Sequence, residues 1–77
     1  MTVKVLLFGS LADRANSSSL IEKNVSDLNE LLRNLKNRLP FLGSTVFAVA
    51  RNQEIVRNNP QLNDGDEIAL LPPFAGG

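Results

Sequence analysis

The sequence predicts an α+β fold: one small mixed sheet, a single main helix packed on one of its faces, and a protruding carboxyl-terminal tail. Three observations predict it. A β-branched, apolar run opens the chain at residues 2–8 (TVKVLLF), and one leucine stripe at helical spacing follows at residues 24–39. The chain then closes on an apolar strand that runs into two prolines and a Gly-Gly end. A sheet that buries one face needs a cover, and one helix across it is the economical cover for 77 residues.

Length and composition bound the function before any motif is read. A chain of 77 residues makes one domain, and at this size only about 60% of the unfolded surface is buried on folding. The hydrophobic fraction of 43% is that of an ordinary globular domain. Lys and Arg number 8 and Asp and Glu number 8, so no bulk field draws nucleic acid or anionic lipid. Lys4 interrupts the first apolar run, which is too short for a signal segment or a membrane span. Cysteine and histidine are both absent. That removes disulfides, a thiolate nucleophile, Cys-based metal sites and the commonest general base. The expectation is a cytoplasmic domain that works through partners, with no bound cofactor, metal, nucleic acid or membrane.

Within the opening strand, alternation sets Val3, Val5 and Leu7 on one face and Lys4, Leu6 and Phe8 on the other. The first face suits a core. The second is unusually apolar for a solvent face. Residues 9–19 (GSLADRANSSS) read as a hydrophilic connection with room for one helical turn at residues 11–14. Its serines lack the glycine spacing and lysine of a phosphate-binding loop. Residues 20–23 then form a short strand paired with the first as a hairpin.

The helix rests on Val25, Leu28, Leu31, Leu32, Leu35 and Leu39, which recur at intervals of three and four. Asn24 is the N-cap candidate and Ser26 competes with it. Arg33, Lys36 and Arg38 suit the negative end of the helix, and Pro40 stops it. A turn at residues 41–45 leads to an apolar strand at 46–50, expected to be covered on nearly both faces. Arg51-Asn52-Gln53 turns into a short strand at 54–56, and Asn63-Asp64-Gly65-Asp66 turns into the last strand at 67–71. Asp64, Asp66 and Glu67 lack the ligand number and spacing of a calcium loop. They read as turn chemistry beside a solvated acidic spot. In this β-β-α-β-β-β order the first and last strands lie side by side at the centre. Their helix-free faces would display Leu6, Phe8, Ala69 and Leu71, joined by Ile55, as a docking patch.

The tail is the most informative stretch. Pro72 and Pro73 each fix φ near −65° and lack an N–H donor, so the sheet cannot continue through them. The domain therefore occupies residues 1–71, and residues 72–77 leave it as a stiff lever reaching roughly 20 Å if extended. Gly76 and Gly77 carry no Cβ, so a partner can close tightly around the terminal carboxylate.

Taken together, the strand into Phe8-Gly9, the helix, Ala50-Arg51-Asn52-Gln53, Leu62-Asn63-Asp64-Gly65-Asp66-Glu67 and Pro72-Pro73-Phe74-Ala75-Gly76-Gly77 carry a resemblance over essentially the whole chain. The sequence resembles the ubiquitin-like β-grasp family, and within it the sulfur carriers that form the small subunit of molybdopterin synthase. Arg51 departs from the small apolar residue that this family often has there, a difference that bears on local packing.

The resemblance implies that the Gly77 carboxylate is adenylated with ATP by a ubiquitin-activating-type adenylyltransferase. A sulfur donor protein then displaces AMP to leave a thiocarboxylate. The tail of Pro72, Pro73, Phe74, Ala75 and Gly76 inserts into the large synthase subunit, in a heterotetramer, and the sulfur passes to a cyclic pterin precursor to build the molybdopterin dithiolene. Leu6, Phe8, Ile55, Ala69 and Leu71 would bind these partners. Catalytic acids and bases would belong to the large subunit, this chain being the sulfur-donating reagent. A thiazole-pathway sulfur carrier, a protein-conjugating ubiquitin-like modifier and a β-grasp binding module that is never activated stand as alternatives.

Overall fold

The apolar alternation of the first strand and the leucine stripe converge on one core in a computed structural model that describes residues 1–73. Phe74, Ala75, Gly76 and Gly77, and the expected course of the tail through them, lie outside the described residues. Strand β1 (Val3–Leu7) leads through helix α1 (Ser10–Ala15) to β2 (Ser19–Glu22), and then to the main helix α2 (Leu28–Arg38). A 3₁₀ turn (Pro40–Ser44) precedes β3 (Ala48–Arg51), β4 (Glu54–Ile55) and β5 (Glu67–Leu71). The sheet has five strands in the order β2-β1-β5-β3-β4. Its central pair, β1 and β5, is parallel, and the other pairings are antiparallel.

Val3, Val5 and Leu7 on β1, Ile68 and Leu70 on β5 and Val49 on β3 turn toward Leu28, Leu31 and Leu35 of α2. Each fully buried leucine or valine contributes about 1.5–3 kcal/mol, and this shared layer is what holds helix to sheet. Arg38, in the last turn of α2, pairs with the buried carboxylate of Glu22 on β2 and ties the helix end to the sheet edge.

Several elements differ from expectation, each for a local physical reason. Helix α2 begins at Leu28, capped by Asp27, whose Oδ1 accepts the Glu30 N–H at 2.8 Å. Asn24 instead takes a left-handed φ of 61°, and Ser26 donates its N–H to Glu30 Oε1 at 2.7 Å. Val25 is buried as predicted, but ahead of the helix. The loop after β1 holds a six-residue helix rather than a single turn, because Leu11 is buried and Ala12 and Ala15 pack against the core beside it. Residues 41–45 belong mostly to the 3₁₀ turn, which buries Leu42. Strand β3 starts two residues later than expected, leaving Val46 75% exposed, and only its Val49 and Ala50 are buried. The β3–β4 hairpin closes over Asn52 and Gln53 at φ 49° and 74°, the paired positive values of a two-residue turn that matches strand twist.

Candidate functional site

Cross-strand partners share a face of the sheet, so the register assigns the helix-free surface residue by residue. Leu6 pairs with Ala69, Ala69 with Ala50, and Ala50 with Ile55, which makes one transverse row. Leu71 pairs with Ala48 in the next row toward the chain's end, and Phe8 continues the alternation of β1 beside it. Phe8 and Ile55 are 45% and 56% exposed, Leu6, Ala69 and Leu71 are half-buried, and Ala50 is enclosed within its row. All five residues singled out as partner-binding thus stand on one surface. Sequence reasoning missed Ala48 and Ala50, which the register adds, and the alternation of β3 was the signal for them.

The opposite end of the same face is charged. Lys4 pairs with Glu67 across the central strands, and Lys4 faces the exposed Ile21 on β2. The surface therefore grades from charged, at the start of β5, to apolar, at the end from which Pro72 and Pro73 depart.

Pro72 is half-buried and Pro73 exposed. Pro72 lies against the backbone of Gly9, where a Cβ would sit 3.1 Å from the proline Cγ. Gly9 has φ 55° and ψ −132°, a conformation that side chains disfavour. The Phe8 N–H donates to the Leu70 carbonyl at 3.3 Å, joining the end of β1 to the end of β5.

In the acidic turn before β5, Asp64 is exposed and Glu67 half-buried, but Asp66 is not part of a solvated spot. Asp66 is 5% exposed and is the hub of a hydrogen-bonded cluster. Its carboxylate accepts Arg51 Nε at 2.9 Å, Asn52 Nδ2 at 3.0 Å and the Asn63 N–H at 2.8 Å. Burial works to raise its pKa, but the Asn63 N–H, the Asn52 amide and the Arg51 guanidinium together bring it below the ordinary carboxylate value. Asp64 accepts the Thr2 N–H at 2.8 Å. Arg51, which the resemblance marks as a departure, thus has a structural partner in Asp66. A shallow groove of about 360 Å³ lies beside β4 and the loop after it, and includes Arg51, Glu54 and Arg57. Among the described residues, no helix is long and apolar enough to cross a membrane.

A mixed sheet whose parallel central strands come from the two ends of the chain, with a helix gripped on one face, defines a ubiquitin-like β-grasp protein. The chain matches SAMP1 of Haloferax volcanii with a TM-score of 0.85 at 28% identity, covering 100% of both chains. The family can be stated more narrowly: residues 5–77 match the model of the ThiS family, and the chain belongs to it. A molybdopterin synthase sulfur carrier subunit of Dictyostelium discoideum is 33% identical over 81 residues, spanning 96% of this chain and 94% of that protein. A chain from the complex of subunits 1 and 2 of the molybdopterin-converting factor of Helicobacter pylori 26695 is 37% identical, with a TM-score of 0.71 and 100% of each chain covered.

Proposed function

We propose that this protein is the sulfur-carrier small subunit of a molybdopterin synthase. The observation that carries the reading is a full-length likeness to sulfur carrier subunits, joined to an apolar patch beside the root of a Pro-Pro-Phe-Ala-Gly-Gly end. In this reading the Gly77 carboxylate attacks the α-phosphorus of ATP on an activating adenylyltransferase, releasing pyrophosphate. Sulfide (HS⁻) released by a donor protein adds to the acyl-adenylate carbonyl and expels AMP, leaving the thiocarboxylate. The large synthase subunit then receives the tail and supplies the acid and base groups for transfer to the pterin precursor, two carriers serving the heterotetramer. ATP is consumed on the activating enzyme and no cofactor rests on this chain. The lack of cysteine suits the task, because sulfur rides on the terminus, and the cytoplasm is the proposed compartment.

The likeness to SAMP1, a small archaeal modifier protein, supports a second reading as a protein modifier. One experiment separates them. Incubated with the activating enzyme, ATP and a sulfur source, the sulfur carrier exchanges one terminal oxygen for sulfur by intact mass, and then converts precursor to molybdopterin with the large subunit. A modifier instead appears as isopeptide adducts on lysines of other proteins. Absence of any thiocarboxylate under these conditions would refute the sulfur-carrier reading.

A further inference from the structure

The geometry points to Gly9 as a positioning residue for the tail: its bare backbone sets the angle at which Pro72 leaves the sheet. This rests on the sulfur-carrier reading for its functional consequence, but the contact itself is structural. Pro72 Cγ lies 3.1 Å from where a Cβ on residue 9 would sit, closer than ordinary van der Waals contact. The two sides of that contact are unequally anchored. The Gly9 carbonyl accepts the N–H groups of Ala12 at 3.1 Å and Asp13 at 3.2 Å. The Phe8 carbonyl accepts that of Leu11 at 3.1 Å, and Leu11 is buried in the core. Residue 9 is thus held by α1 and by the end of β1. Pro72 has no N–H to bond and is followed by the exposed Pro73. A side chain on residue 9 therefore presses on the Pro72 ring rather than on α1, and turns the point at which the chain leaves the sheet.

The reacting carbonyl is five residues downstream of Pro72. A change in the exit angle at Pro72 alters where that carbonyl is delivered, and a reacting atom misplaced by ~1 Å costs about a hundredfold in rate. The docking patch lies on the sheet and does not include residue 9. Gly9 should therefore govern turnover and leave binding alone.

The test compares wild type, Gly9→Val, Pro72→Ala and the double variant. Thiocarboxylate formation is followed at varied carrier concentration with the activating enzyme, ATP and a sulfur source. Gly9→Val is expected to lower kcat by about tenfold or more with KM within about twofold. It also lowers Tm, because a β-branched residue is strained at φ 55°. Removing the proline ring in the double variant relieves the contact but not the strain. Its kcat should recover about fivefold or more over Gly9→Val while its Tm does not, a split that a merely structural role would not produce. A loss carried wholly by KM, or single effects that simply multiply, would overturn the inference.

Tail direction is read separately, without chemistry. Since the chain has no native cysteine, spin labels at Lys23→Cys and Ala75→Cys report the distance from the domain to the tail. That distance distribution shifts in Gly9→Val and returns in the double variant. Unchanged distances overturn the inference whatever the enzymology shows. Shifted distances in a carrier that is never activated uphold it and refute only the sulfur-carrier reading.

Discussion

Asp66 shows how one residue can be misjudged by its neighbours in sequence. In Asn-Asp-Gly-Asp it looks like turn acid, yet the fold buries it and meets it with three donors, from the end of β3, the β3–β4 turn and its own turn. The donors on Arg51 and Asn52 are 15 and 14 residues away, so nothing in the local sequence could reveal them. The departure at Arg51 was visible but its partner was not. Because the folded carboxyl titrates below its unfolded value, it stabilises the fold at neutral pH, and that contribution disappears as pH falls through the folded pKa. Asp66→Asn, which removes the charge and one acceptor, should destabilise the protein by about 1–3 kcal/mol at pH 7. Urea denaturation measures this, and the gap between the two proteins should narrow steadily as the solution is acidified below the carboxylate range. A gap independent of pH would show that Asp66 acts by shape and not by charge.

At the scale of elements, the strongly periodic pieces were legible and the boundaries were not. The leucines of α2 announced both the helix and its buried face, and the alternation of β1 announced which side would be core. The start of α2 was ambiguous because Asn24, Ser26 and Asp27 are all good caps in isolation. The decision is tertiary. Asp27 bridges to Gln61, the Leu28 N–H donates to the Pro60 carbonyl, and the Asn29 N–H donates to Asn59 Oδ1 at 2.7 Å. The loop before β5 thus fixes where the first turn begins. Asp27→Ala should cost about 1 kcal/mol of stability by chemical denaturation. Asn24→Gly, at a left-handed position outside the helix, should leave stability unchanged within about 0.5 kcal/mol. Equal losses would mean that the cap is shared. Helix α1 was under-read for a related reason: six residues with one buried leucine give too little periodicity to extend a turn into a helix.

In the proposed function the whole molecule divides its work between a surface that docks and an end that reacts, and the two should fail separately. Leu71 belongs to the surface: it is half-buried, pairs with Ala48, and shares the helix-free side with Leu6, Phe8 and Ala69. Leu71→Asp puts a charge where a partner must exclude water. It should weaken binding to both the activating enzyme and the large subunit by about tenfold or more, the loss expected of an apolar anchor. At saturating partner the terminal chemistry should persist. Gly77 is the converse. Deleting it leaves a carboxylate about 3.5 Å short by extended geometry, far beyond the ~1 Å that already costs about a hundredfold. Adding a residue after it turns the reacting carboxylate into an amide. Both tail variants should fold and dock like wild type and yet give no molybdopterin. Calorimetry of each complex, set beside product formation in a reconstituted synthase, measures the two functions independently. Leu71→Asp that binds like wild type would remove the patch from the account. A Gly77 deletion that supports normal molybdopterin formation would remove the terminal sulfur itself.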